Sequence, residues 1–198
     1  MRVPYVPVPP PTASEEEAAI VARVAARRHP RPLQPLDLAL LHSPPVADGW
    51  NSFLGAVRTR TLLPAALREL AICRVAVCNS AWYEWGHHAP LAAAAGLGAK
   101  ALAVVKAADL DAVSRDDESA ARADGLGDKE WAVLRYTDEM TRFVRVRDET
   151  FEALRSVCDE REVVEVTATV AAYNCVSRFL VALDVGERNG TGPDDVEH

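Results

Sequence analysis

The sequence predicts an all-α bundle of helical hairpins, and three features favour that class. Apolar residues recur at intervals of three and four, as Trp50, Phe53, Leu54 and Val57 do, which is the spacing of one helix face. Residues 160–183 form a long apolar segment without glycine or proline, which favours a buried helix over a strand. No pattern of strand, turn and strand competes with these segments.

The composition fits one compact domain that acts on small molecules. The chain has 198 residues, of which 49% are apolar, and a formal net charge of -7, so one sizeable core is expected. A negative chain without long Lys/Arg runs argues against binding to nucleic acid or to an anionic membrane. Prolines interrupt the N-terminal segment where a signal peptide needs an apolar core, and no apolar run of about 18 residues stands out. We therefore expect a soluble, cytoplasmic protein.

The chain divides into three predicted parts. Residues 1–13 carry prolines at 4, 7, 9, 10 and 11; proline fixes φ, so this part should be an extended arm. Residues 14–186 should form a single all-α domain. Residues 187–198 are polar and rich in glycine, and they should be a disordered tail.

Start and stop signals locate the helices of the domain. Ser14 followed by three glutamates is a capping box, which predicts a helix over 15–28. Further helices are predicted over 46–60, from Pro64 to about Cys78, from Ser80 as N-cap to Gly96, from Asp128, near 148–156, and over 160–183. The polar residues 107–127 should form turns with at most a short helix. The two halves each combine an Arg-Glu pair with a buried helix, which suggests an internal duplication of hairpins.

The four cysteines should be reduced thiols. Cys73, Cys78, Cys158 and Cys175 lie in apolar helical surroundings, and no two of them form a CxxC motif. Buried cysteine behaves as a small apolar side chain. Disulfides are therefore not expected.

The segment WYEWGHH, residues 82–88, concentrates the side chains that could carry chemistry. If Ser80 caps the helix, Glu84, His87 and His88 share one helix face. The segment by itself leaves three interpretations open, namely a metal site, an aromatic core with a polar edge, or a site for proton transfer. A di-iron site would need a second Glu-x-x-His pair, which the sequence lacks, so we expect no metal.

Glu69 is a second candidate for the same site. It lies between Leu67 and Leu70, so it is hard to expose the carboxylate without exposing apolar neighbours. A buried carboxylate is costly unless it has a partner. A histidine on the next helix could be that partner, and so could Arg68 or Arg74.

The segment LPAALRELAICRVAVCNSAWYEWGHHAPLAAAAGL, residues 63–97, resembles the carboxymuconolactone decarboxylase and alkylhydroperoxidase D superfamily. There, a helix with Arg-Glu-Leu precedes a helix with Tyr-Glu-Trp and histidine. The lead-in and the last helix are similar too, so the resemblance spans about residues 36–186. It implies an alkylhydroperoxidase D-like fold without an organic cofactor or metal, and a homo-oligomer in which the proline-rich arm could clasp a neighbouring subunit.

One substitution within the resemblance separates redox chemistry from proton transfer. Glu69 and His88 keep the nineteen-residue spacing of the hydroperoxidase branch. The two redox cysteines of that branch would fall on Ala81 and Glu84. Thiol peroxidase chemistry needs a nucleophilic and a resolving thiol, so the decarboxylase-like branch is the better match.

The resemblance implies a cofactor-free lyase for a small carboxylated lactone or related acid, most nearly a 4-carboxymuconolactone decarboxylase. Loss of CO₂ leaves a carbanion that needs a proton, so we assign His88 as donor and Glu84 and Glu69 as its relay partners. The candidate substrate contacts are His87, Tyr83, Trp85, Tyr173, Asn174 and Arg178. A hydrolase or isomerase using the same residues is an alternative, and so is a non-catalytic oligomeric binding or scaffold protein.

Overall fold

The computed structural model describes residues 1–195, and these contain helices and turns but no strand. The predicted all-α class is therefore confirmed. The helices are α1 (Glu15–Arg28), α2 (Pro35–Leu40), α3 (Pro44–Thr59), α4 (Ala65–Cys78), α5 (Trp82–Ala94), α6 (Ala99–Lys106), α7 (Arg115–Arg122), α8 (Asp128–Phe143), α9 (Asp148–Arg155) and α10 (Glu160–Leu183), with a 3-10 turn at Leu110–Ala112.

Most predicted helix bounds agree with the structure, and the differences have local causes. Helices α2 and α6 were not predicted, because segments of six and eight residues offer few periodic positions. Ser80 is not the N-cap of α5. Its φ of 52° places it in the left-handed turn between α4 and α5, where Ala81 takes the cap position without a side-chain cap bond.

Helix α4 lies at the centre of the bundle and contacts α5, α8 and α10. Residues 70–76 are each 0% exposed, and Arg74 is among them. Its guanidinium donates to the Asp138 carboxylate on α8 at 2.9 Å and to the carbonyls of Val105 and Ala107 at 2.8 and 2.6 Å. One buried arginine therefore ties α4 to α8 and to the end of α6.

The proline-rich arm packs against its own chain. The backbone N–H of Arg2 donates to the Leu183 carbonyl at the end of α10, and that of Val6 donates to the Leu38 carbonyl of α2. Val6 is buried in a small cluster with α1 and α2. Clasping of a neighbouring subunit by the arm stays a prediction.

Helix α10 is long and apolar enough to cross a membrane by length and composition, with a mean hydropathy of 1.4 over 18 residues. The expectation that no apolar run approaches about 18 residues is therefore wrong for this segment. The helix packs on α4, α8 and α3 and buries Val166, Val170 and Leu180. A central core helix meets the same test as a membrane span, and this packing accounts for the composition of α10.

The residues after α10 form turns on the surface of the domain. Asn189 donates from its side chain to the Val181 carbonyl at 2.8 Å, and Asp194 accepts from Lys106 at 2.5 Å. The disorder predicted for the tail stays a prediction over 187–195, and residues 196–198 lie outside the described part of the chain.

The turn at Gly186 supports one wall of the site described below. Gly186 has a φ of +76°, and a Cβ added there would lie 2.2 Å from Cδ2 of Tyr83 on α5. Both the left-handed conformation and the close approach of the ring require glycine.

We predict that Gly186→Ala lowers the free energy of unfolding by about 1–3 kcal/mol, the usual cost of overpacking. The measurement is urea unfolding of the variant beside wild type. Gly190→Ala is the matched control, because a Cβ there meets nothing within 4 Å. Equal stability of the two variants would contradict the close contact with Tyr83.

Candidate functional site

A hydrogen bond between α4 and α5 forms the centre of the site. Nδ1 of His88 lies 2.6 Å from Oε2 of Glu69, and the two residues are 7% and 3% exposed. The other oxygen, Oε1, accepts from Nε of Arg68 at 3.3 Å. The buried glutamate thus has both kinds of partner that the sequence allowed, a histidine and an arginine.

The environment fixes the protonation of this pair. Burial acts to raise the pKa of Glu69, but the hydrogen bond and charge of His88, with the charges of Arg58 and Arg68, outweigh it and hold the pKa below its usual value. Burial lowers the pKa of His88, against the opposing effect of Glu69. At neutral pH an ionised Glu69 therefore accepts the Nδ1–H of a neutral His88, which leaves Nε2 as a free base.

A cavity of about 80 Å³ lies beside the pair, between α1, α3, α5 and α10. A buried water needs roughly 10–15 Å³ of such volume, so the cavity suits a small organic molecule. Its lining combines apolar, aromatic, acidic and basic side chains: Arg27, Arg28, Gln34, Leu36, Trp50, Leu54, Arg58, Tyr83, Glu84, His87, His88, Tyr173, Val176 and Leu180. Of the predicted site residues, the structure brings Tyr83, Glu84, His87, His88 and Tyr173 to this lining.

Tyr173 and His88 meet at the inner end of the cavity. Their rings form an edge-on contact with centroids 5.1 Å apart. Burial raises the pKa of the Tyr173 hydroxyl well above its ordinary value. This residue therefore offers a neutral hydroxyl and an apolar ring to a ligand.

His87 lies at the mouth of the cavity. Its Nδ1 is 2.8 Å from the Tyr83 carbonyl, its Nε2 is 3.2 Å from the side chain of Gln34, and its ring stacks on Tyr83 with centroids 4.3 Å apart. The residue as a whole is exposed, but packing of the ring removes water from it and lowers its pKa. A neutral His87 suits the predicted role as a polar substrate contact.

Glu84 lies in the cavity lining, one helix turn before His88, but is not hydrogen-bonded to the pair. It is 2% exposed, and neither carboxyl oxygen has a hydrogen-bond partner among residues 1–195. Burial without a compensating charge raises its pKa well above the usual value. The prediction that Glu84 tunes His88 directly therefore needs correction, because only Glu69 is hydrogen-bonded to the imidazole.

Three arginines at the cavity were not predicted from the sequence. Arg28 is paired with the buried Asp37 through two hydrogen bonds of 2.7 and 2.8 Å. Arg58 has no carboxylate partner among residues 1–195. A signal for it exists, since Arg58 follows the buried Leu54 by four residues and therefore shares the inner face of α3. Arg27 lies beside Arg28, one residue earlier on α1.

The segment from α3 to α8 is where this chain agrees with known proteins. The model of the carboxymuconolactone decarboxylase family matches residues 44–139. The matched residues include Arg58 and the Glu69–His88 pair, and they supply half of the cavity lining.

A solved structure extends the agreement to the whole fold. The crystal structure of an uncharacterized peroxidase-related protein from Silicibacter sp. TM1040 matches with a TM-score of 0.68 over 91% of each chain, at 13% sequence identity. The alkylhydroperoxidase D-like helical fold predicted from the sequence is thereby confirmed. Comparison with curated proteins finds no match.

Three predicted substrate contacts lie away from the cavity. Trp85 is 4% exposed within the main core. Asn174 faces the opposite side of α10, where it is hydrogen-bonded to Asn79 and Thr141. Arg178 is exposed and donates to the Asn174 carbonyl at 3.1 Å. Helix periodicity placed these residues on the right helices but not on the cavity face.

The cysteine nearest to the WYEWGHH segment is not part of a redox pair. The Sγ of Cys78 donates to Asp138 at 3.3 Å, and burial raises the pKa of the thiol to about 11. A thiol that stays protonated is a poor nucleophile. Across residues 1–195 no three His, Cys, Asp or Glu side chains are grouped closely enough to hold a metal ion.

We predict that Cys78→Ser leaves peroxide consumption by the purified protein unchanged, because the thiol is held in its unreactive form. The measurement is loss of hydrogen peroxide with a dithiol reductant, for the variant beside wild type. Peroxide consumption that disappears in the variant would show that Cys78 is a redox nucleophile after all.

We predict that Glu84→Gln stabilises the protein increasingly as pH rises from about 4.5. In the unfolded chain this glutamate ionises near pH 4.5, whereas in the folded protein Glu84 keeps its proton because its pKa is raised. The unfolded state of wild type is therefore increasingly favoured as pH rises, up to the pKa of Glu84 in the folded protein. The advantage of the variant should grow by about 1.4 kcal/mol for each pH unit in that window. Urea unfolding from pH 4.5 to 8 measures it, with the exposed Glu152→Gln as control. A stability difference independent of pH would contradict the raised pKa.

Proposed function

We propose that this protein is a cofactor-free carboxy-lyase for a small carboxylated lactone or related acid, similar in reaction to 4-carboxymuconolactone decarboxylase. The observation that carries the proposal is the Glu69–His88 hydrogen bond of 2.6 Å at the wall of a small cavity. A carboxylate that fixes the tautomer of a buried imidazole is an arrangement suited to acid–base catalysis. The match of residues 44–139 to the model of the carboxymuconolactone decarboxylase family supports the reaction class.

Arg58 is the proposed anchor for the carboxylate of the substrate. It is half-buried at the cavity and has no carboxylate of its own among the described residues. A guanidinium can hold a carboxylate through two parallel hydrogen bonds. Arg27 and Arg28 extend the positive charge toward the mouth, on a protein whose net charge is -7, so the cavity should attract small anions.

The apolar lining supports loss of CO₂. Trp50, Leu54, Val176 and Leu180 line the cavity beside the charged groups. A poorly hydrated carboxylate is destabilised relative to the more dispersed charge of the carbanion that follows. The substrate carbanion then needs a proton, and the His88 side of the cavity holds the groups that can exchange one.

We predict that His88→Ala lowers kcat for 4-carboxymuconolactone decarboxylation by about 10²–10⁴-fold, the usual contribution of an acid–base group. CO₂ release and circular dichroism are measured together, so that loss of activity can be separated from loss of fold. Decarboxylation at the wild-type rate by a folded His88→Ala variant would sink the proposal. A wild-type protein that binds the substrate without turnover would instead favour the binding-protein alternative.

We predict that Arg58→Ala raises KM for the same substrate by about 10–100-fold, since a hydrogen-bonded charge contributes about 1.5–3 kcal/mol. Arg178→Ala is the comparison, because Arg178 was the anchor predicted from the sequence and lies away from the cavity. We expect KM of that variant to stay close to wild type. The opposite ranking of the two variants would contradict the assignment of Arg58.

A further inference from the structure

Glu84 is a buried acidic residue that takes no part in the Glu69–His88 hydrogen bond. The other buried acidic residues have cationic or histidine partners: Asp37 with Arg28, Glu69 with His88 and Arg68, Glu139 with Arg147, and Glu165 with Arg161. Glu84 is 2% exposed, and both of its carboxyl oxygens are without a hydrogen-bond partner. An unpartnered buried polar group in a cavity lining indicates a ligand that satisfies it.

The groups around Glu84 offer it no compensating bond. Cys73 on α4 and Tyr173 on α10 are close enough to feel the charges of both Glu84 and Glu69. His88 is one turn further along α5, but its Nδ1 is held by Glu69. Arg58 of α3 lines the same cavity without a hydrogen bond to Glu84. Since an isolated carboxylate is very costly to bury, the neutral acid is the form that the fold can hold.

We propose that Glu84 is a neutral carboxylic acid in the resting protein and is the proton donor to the substrate, while His88 relays a solvent proton back to Glu84. This inference rests on the proposed lyase function for the identity of the step, but not for the protonation of Glu84. It reverses the assignment made from the sequence, in which His88 was the donor. Acid and base roles follow from neighbouring groups whose environments favour opposite protonation states.

The step balances with these residues alone. The bond between the substrate carbon and its carboxylate breaks, CO₂ leaves, and the electron pair stays on the carbon and spreads to the lactone carbonyl oxygen. The O–H bond of Glu84 breaks, and its proton forms the new C–H bond. Glu84 is left as a carboxylate until Nε2 of His88 takes up a proton from the solvent and passes it on to Glu84. Each turnover therefore consumes one solvent proton and releases one CO₂.

The arrangement also defines the substrate class more narrowly. The arginine side of the cavity suits the carboxylates of the substrate, whereas the neutral acid at Glu84 can donate a hydrogen bond to a conjugated carbonyl or a proton to the carbanion. A substrate that combines a carboxylate with a conjugated carbonyl satisfies both ends. 4-Carboxymuconolactone has this pattern, with both of its carboxylates on the arginine side.

The protonation of Glu84 can be tested without any substrate. Infrared difference spectra of wild type and Glu84→Gln at pH 7 should contain the carbonyl band of one protonated carboxyl group, which shifts in D₂O. Glu69→Gln should leave that band in place, because Glu69 is ionised. Absence of the band from wild type would overturn the proposal, whatever the substrate is.

The donor role is tested by turnover of 4-carboxymuconolactone. Glu84→Gln keeps the shape and a hydrogen-bond donor but has no acidic proton, so kcat should fall about 10²–10⁴-fold with KM within a few-fold of wild type. In wild type, kcat should fall as pH rises through the pKa of Glu84. The control Glu152→Gln, on the exposed face of α9, should keep wild-type activity.

The outcomes separate the two proposals. Full turnover by Glu84→Gln together with an inactive, folded His88→Ala overturns the donor role of Glu84 and leaves the lyase function standing. A wild type that shows the infrared band but no turnover overturns the lyase function. In that case the binding of 5-oxotetrahydrofuran-2-carboxylate decides the role of Glu84. If wild type binds this ligand more weakly at high pH while Glu84→Gln binds it equally at all pH values, Glu84 donates a hydrogen bond to the ligand. Absent binding, or an identical pH profile, overturns it.

Discussion

The burial of the middle of helix α4 is the constraint on which the rest of the structure depends. Residues 70–76 have no solvent contact and Glu69 is only 3% exposed, so Arg74 and Glu69 must find partners inside the protein. Arg74 binds Asp138 of α8, and Glu69 binds His88 of α5. These two bonds orient the neighbouring helices about α4, and the second one is also the centre of the site.

The site combines groups whose protonation states are pushed in opposite directions. Glu69 has a histidine and an arginine beside it and ionises easily, whereas Glu84, with no partner, holds its proton. Both glutamates are almost fully buried, so the difference between them lies mainly in their neighbours.

The cavity owes its selectivity to elements outside the α4–α5 hairpin. Arg58 comes from α3, Arg27 and Arg28 come from α1, and Tyr173 comes from α10. Gly186 allows the chain after α10 to pass against Tyr83. Changes in α1, α3 or α10 can therefore alter the ligand while leaving the Glu69–His88 pair intact.

The sequence by itself determined the helical class and nearly all helix bounds from α3 to α5 and α8 to α10, because periodicity and caps are local along the chain. It offered a histidine of the next helix as one possible partner of the buried Glu69, beside Arg68 and Arg74. Only the tertiary structure decided which face of each helix meets the cavity. It brought Arg58 to the site and left Arg178 outside, since that choice depends on how α3 and α10 pack on α4. It also left Glu84 without a partner, and no local pattern records which neighbour is missing.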